Sequence, residues 1–134
     1  MVTVKTAEEI ELMREPCRIV KETLEYVEKH IHAGMTTKEV DDLVYKYITL
    51  NGAIPSELGY CGYPASSCVS VNEVVVHGIP GDRVLEDGDI VSVDITAAKN
   101  GFQGDACRNF LIGNVSPEKK RLVEVTKECF FKAI

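Results

Sequence analysis

No apolar run in this sequence approaches the roughly 18–20 residues that a bilayer crossing needs, and charge interrupts every hydrophobic stretch. The opening Met1-Val2-Thr3-Val4-Lys5-Thr6 has neither the basic start nor the long apolar core of a secretory signal. No basic block exists either. Lys and Arg number 15 against 21 Asp and Glu, for a formal charge of −6 and a pI near 5.1, which argues against nucleic acid as the main partner. The five cysteines (Cys17, Cys61, Cys68, Cys107 and Cys129) are an odd count without a C-x-x-C pair. Free thiols in a reducing cytosol fit that pattern better than a disulfide framework. No phosphate-cradling glycine motif, internal repeat or low-complexity segment is found. What the 134 residues do have is 45% hydrophobic and 27% charged side chains, the balance of a soluble globular domain rather than a disordered chain. These features predict an acidic, cytoplasmic α/β or α+β domain.

The first half reads as two helices. Thr6 with Glu9 forms a capping box, and apolar side chains recur at Ile10, Met13, Cys17, Val20, Leu24, Val27 and Ile31. That alternating three- and four-residue spacing is one amphipathic stripe. It lasts only about three heptads, so packing against a sheet is expected rather than a coiled-coil seam. Gly34 is the expected stop, and His30 and His32 read as last-turn residues that complement the helix dipole. A second capping box, Thr36 with Glu39, opens a helix carrying Val40, Leu43, Val44, Tyr47 and Ile48 inward, ended by Asn51-Gly52. From there the period changes. Cys68-Val69-Ser70-Val71 and Val74-Val75-Val76 read as short β-branched strands, and the stretch Gly59-Tyr60-Cys61-Gly62-Tyr63-Pro64 reads as loop. Two long strands, 90–99 and 102–112, flank Asn100-Gly101, the strongest short hairpin signal. Ser116-Pro117 then opens a last helix with Leu122, Val125, Cys129 and Ala133 on one face. That helix stops at Phe130-Phe131-Lys132-Ala133-Ile134 without a C-cap glycine or polar tail, the expectation for part of a longer protein.

A two-residue type I′ turn at Asn100-Gly101 sets Lys99 opposite Phe102, Thr96 opposite Asp105 and Asp94 opposite Cys107. Asp94 and Asp105 then lie diagonally on one face, with Cβ atoms roughly 6–8 Å apart. Two carboxylates at that distance can share one metal ion or bridge two; on a solvent-facing hairpin they would need no partner at all. His77, in Val76-His77-Gly78-Ile79-Pro80, enters a Gly/Pro turn where an imidazole can be offered to a site or merely exposed. The acidic turn Asp82…Glu86-Asp87-Gly88-Asp89 lacks calcium-loop spacing and reads as solvated surface. Cys61, Cys68 and His77 match no compact zinc pattern.

Several runs together carry a resemblance. Leu58-Gly59-Tyr60-Cys61-Gly62-Tyr63-Pro64 is followed by Ser67-Cys68-Val69-Ser70-Val71-Asn72-Glu73-Val74-Val75-Val76-His77-Gly78-Ile79-Pro80. Then come Leu85-Glu86-Asp87-Gly88-Asp89-Ile90-Val91-Ser92-Val93-Asp94-Ile95-Thr96 and Gly101-Phe102-Gln103-Gly104-Asp105. Over nearly its whole length the chain resembles type I methionine aminopeptidases. The resemblance implies an α+β architecture, the N-terminal half of the two-part pita-bread fold shared by creatinase and these aminopeptidases, with an antiparallel sheet and helices packed on one face. It makes Asp94 the chelating metal ligand, Asp105 the bridging one and His77 the histidine that hydrogen-bonds substrate near the scissile amide. Tyr60, Tyr63 and Cys68 become walls of a methionine side-chain pocket, a lining that suits a flexible thioether.

In such an enzyme two divalent ions (Co, Mn, Fe or Zn) activate a water that removes the initiator methionine from a nascent peptide whose next residue is small. The family site also needs a histidine and two glutamates from a second half, for which this sequence has no counterpart. The expectation is therefore that residues 1–134 are the N-terminal portion of the catalytic domain, with at most a weak metal half-site. Expected partners are the nascent N-terminus, the ribosome and a second copy of the chain. Two rivals stand beside this reading. One is a non-catalytic, self-associating interaction module on the same scaffold; the other is a related peptidase cleaving before proline, which Tyr60, Tyr63 and Cys68 disfavour.

Overall fold

A computed structural model describes residues 3–134; Met1 and Val2, the start of the segment read above as lacking a secretory signal, lie outside them. Helix α1 spans Ala7–Glu28 and α2 Thr37–Leu50. Strands β1 (Ile54–Pro55), β2 (Cys68–Val71), β3 (Ile90–Lys99) and β4 (Phe102–Leu111) follow, and α3 runs Pro117–Ala133. Both expected capping boxes form. The Thr6 hydroxyl accepts from the Glu9 amide while Glu9 Oε2 takes the Thr6 N–H at 2.7 Å, and Thr36 and Glu39 repeat the arrangement. Each box satisfies two amide donors that the first helical turn would otherwise leave unpaired.

The sheet is antiparallel with β3 at its centre. β4 pairs along one edge of β3, while β1 and β2 share the other, β1 opposite Ala97 and Ala98 and β2 opposite 91–94. Strict alternation along β3 decides the layers. Val91, Val93, Ile95 and Ala97 are fully buried under the helices, whereas Ser92, Asp94, Thr96 and Ala98 point to the opposite, partly open face. Ile19, Val20, Leu24 and Val27 of α1 and Val40, Val44 and Ile48 of α2 complete the core. Each fully buried Val or Ile contributes roughly 1.5–3 kcal/mol relative to exposure.

Several local expectations change. Helix α1 ends at Glu28 rather than near Gly34; Val20, Leu24 and Val27 of the expected stripe are buried, and Pro16, Ile19 and Thr23 are buried beside them. Cys17 and Ile10 are exposed. His30 lies beyond the helix, yet its Nδ1 stands 2.7 Å from the Tyr26 carbonyl and still serves the helix end; His32 turns instead to the Ala33 carbonyl. Val74-Val75-Val76 is not a strand but an exposed loop, with Val75 84% accessible. Asp89 is not solvated surface. It is buried, accepting from the Asn72 amide group at 2.7 Å and the Glu86 N–H at 2.9 Å, and so it ties the turn before β3 to the end of β2. No residue of α3 is buried, so its apolar face stays in the open.

Candidate metal centre

The β3–β4 hairpin closes with Asn100 at φ 54° and Gly101 at φ 77°, the left-handed pair a type I′ turn requires. The register is the one anticipated: Lys99 opposite Phe102, Thr96 opposite Asp105, Asp94 opposite Cys107. On its other side Asp94 faces Cys68 of β2. Asp94 and Asp105 are therefore diagonal neighbours on the sheet face that α1 and α2 leave uncovered. Burial raises the Asp94 carboxyl above the usual carboxylate range, the like charge of Asp105 raises it further, and His77 acts in the opposite direction. A carboxyl whose ionisation is opposed by burial and by a neighbouring like charge is a place where a cation relieves an electrostatic cost. Among the described residues no group of three or more His, Cys, Asp and Glu side chains is gathered to hold a metal ion. The hard oxygen donors of this pair suit a divalent cation, but they form only part of a coordination shell.

His77 arrives from the loop after β2 with φ 56°. A side chain bearing Cβ adopts that conformation at a cost of order 1–3 kcal/mol, which the surroundings must offset. Gly78 supplies the anchorage. Its carbonyl accepts from the Val69 N–H at 2.9 Å and its amide donates to Ser70 Oγ at 3.1 Å. A Cβ at Gly78 would lie 2.4 Å from the Val69 carbonyl oxygen, so the approach to β2 is open to glycine alone.

The three residues expected to wall a side-chain pocket are only partly brought together. Cys68 is buried beside Asp94, and burial pushes its thiol up. Tyr63 is half-buried, its hydroxyl 3.1 Å from both the Ser67 and the Gly78 carbonyls. Tyr60 stands on a single 3₁₀ turn, Tyr60–Gly62, and is 73% exposed.

Two acids that sequence reasoning passed over belong to the neighbourhood. Glu57 is held beside Thr96; burial pushes its carboxyl up to about 7, and the nearby charge of Asp94 adds to this. Its Oε2 is buried without a hydrogen-bond partner. Nothing in the run Ser56-Glu57-Leu58 distinguishes it from a surface acid. Asp41 is buried in α2 and accepts from the Ser66 N–H at 2.9 Å and Ser67 Oγ at 2.8 Å, which fixes the segment entering β2. The clue to Asp41 was its place beside Val40 and Val44 on the inward stripe.

The model of metallopeptidase family M24 matches residues 11–134. Methionine aminopeptidase 1 of Bacillus subtilis is 50% identical over 134 residues, which is all of this chain and 54% of that protein. The crystal structure of methionine aminopeptidase from Rickettsia prowazekii superimposes with a TM-score of 0.98 at 39% identity, again covering 100% of this chain and 54% of the other. The prolidase of Pyrococcus furiosus shares the fold, at a TM-score of 0.79 and 24% identity over 93% of this chain. The chain thus spans about half the length of the curated relatives it matches. A family match over residues 11–134 and similarity to methionine aminopeptidases along the whole of this chain lead to one conclusion: the chain belongs to metallopeptidase family M24.

Proposed function

We propose that residues 1–134 form the N-terminal portion of a methionine aminopeptidase catalytic domain, contributing the carboxylate half of its metal centre. The diagonal pair Asp94 and Asp105 on the open sheet face carries the reading. Asp94 and Asp105, the chelating and the bridging carboxylate of the resemblance, would hold divalent ions of the Mn, Fe, Co or Zn class. When bound, such ions lower the pKa of water and polarise a peptide carbonyl. His77 hydrogen-bonds the substrate near the scissile amide, and Tyr60, Tyr63 and Cys68 wall the methionine side chain. The substrate is the N-terminus of a nascent peptide, Met followed by a small residue, met in the cytoplasm at the ribosome. No described helix is long and apolar enough to cross a membrane.

The rival reading, a self-associating module without catalysis, is favoured by the exposed apolar face of α3. One measurement separates the two. Calorimetric titration of Mn or Co into this chain is expected to give weak, saturable heat that disappears in the Asp94→Asn, Asp105→Asn double variant. Identical heats from both proteins would show that the metal half-site does not exist.

A further inference from the structure

We propose that Tyr63 is a positioning residue: its hydroxyl, together with that of Ser70, clamps Gly78 onto β2 and thereby fixes the backbone that carries the His77 imidazole. The inference deepens the reading just given and rests on His77 as the residue that meets substrate. It departs from that reading in the work it assigns to the tyrosine, whose ring alone would serve as a pocket wall.

The geometry consists of interlocking contacts at one glycine. The Gly78 carbonyl lies 3.1 Å from Tyr63 Oη and accepts from the Val69 N–H at 2.9 Å. The Gly78 amide donates to Ser70 Oγ at 3.1 Å. The same phenol stands 3.1 Å from the Ser67 carbonyl, so one hydroxyl spans the segment entering β2 and the turn leaving it. That segment is itself tied down, since Asp41 of α2 accepts from both Ser66 and Ser67. Burial pushes the Tyr63 phenol well above its usual range; it remains a donor at physiological pH. His77, one residue before the clamp, is held at φ 56°. A left-handed residue without local restraint would relax to a commoner conformation, and the direction in which the imidazole leaves the chain would change with it. The phenol has one proton for the Ser67 and Gly78 carbonyls and bridges the two segments by sharing it, while Asp41 of α2 fixes the Ser67 side of that bridge.

Tyr63→Phe in the 134-residue chain keeps the ring and deletes the clamp. Amide hydrogen exchange measured by NMR is expected to run about fivefold faster at Val69 and Gly78, the loss of one ordinary hydrogen bond, with Val93 and Ile95 in β3 unchanged. A structural role alone would stop there. Positioning adds a second readout: paramagnetic broadening of the His77 ring signals by Mn held at Asp94 and Asp105 should fall severalfold in the variant. Unchanged exchange at Val69 and Gly78, uniform acceleration across β3, or undiminished broadening of His77 would each overturn the proposal. If Mn fails to broaden His77 in the unsubstituted chain, the metal reading falls first and the positioning role falls with it. Should Tyr63→Phe lose the fold, Ser70→Ala removes the other arm and carries the same two readouts.

Discussion

Glu57 has one carboxyl oxygen buried without a partner, and burial holds its proton on up to about pH 7. An unfolded glutamate releases that proton near 4.5. Between those values the folded chain binds more protons than the unfolded one, so the folded state loses stability as pH rises through the interval. Above pH 7 the full cost of a charged, half-buried carboxylate remains. Glu57→Gln should therefore raise stability at pH 8 by about 1–2 kcal/mol, after allowance for the partial exposure of the group, and change little at pH 4. Urea denaturation midpoints at the two pH values check this. Equal gains at both would assign the effect to packing rather than charge. Asp94 is also raised by burial and by Asp105, but a cation can answer that cost from the open face.

Among the elements, α1 and the hairpin are joined by a contact of unusual closeness. Gly104 of β4 lies beneath Pro16 and Cys17, and a Cβ there would come within 2.5 Å of the Pro16 carbonyl carbon and the Cys17 nitrogen. Pro16 sits inside α1 without ending it. Proline lacks the N–H that such a helix position normally uses, and the buried Pro16 meets the hairpin where its glycine leaves room. Gly104→Ala must push the helix off the sheet, a backbone shift that cannot be absorbed by rotating a side chain. The expected destabilisation is about 2–3 kcal/mol, read as a lower thermal midpoint, and Asp105 would shift with the strand. A midpoint unchanged within error would show that the α1–β4 contact is more pliable than its distances imply. The Arg108–Glu28 ion pair at 3.0 Å spans the same two elements from an exposed position, and pairs of that kind contribute at most about 1 kcal/mol.

For the whole molecule, the distribution of apolar surface is uneven. The face of the sheet under α1 and α2 is sealed, while Leu122, Val125, Phe130, Phe131 and Ile134 of the last helical segment are exposed, Phe131 at 61%. Among the described residues β4 pairs only with β3, which leaves its outer edge free. Exposed apolar surface and an unpaired edge both favour association, and a twofold dimer needs just one self-complementary patch. Sedimentation equilibrium at micromolar concentration should show a dimer, with an interface of roughly 2,000 Å² or more if it replaces core packing. A well-behaved species at 14.8 kDa would rule this out.

Local chemistry was legible where it is decided by neighbours in the chain. The two capping boxes, the Asn100-Gly101 turn and its register, and the shared face of Asp94 and Asp105 follow from spacing, because each depends on bonds a few residues long or on the two-residue period of a strand. The run Cys68-Val69-Ser70-Val71 was equally readable as strand. Val74-Val75-Val76 has the same β-branched composition but no strand to pair with, so it stays loop; that choice belongs to tertiary structure. Tertiary packing also widened the buried stripe of α1, adding Pro16, Ile19 and Thr23 to the expected Val20, Leu24 and Val27, with Gly104 of β4 in close approach to Pro16. The environments of Glu57, Asp41 and Asp89 and the clamp on His77 were decided there too. A carboxylate is read as surface or core only once the groups that desolvate or hydrogen-bond it have been brought in from distant parts of the chain.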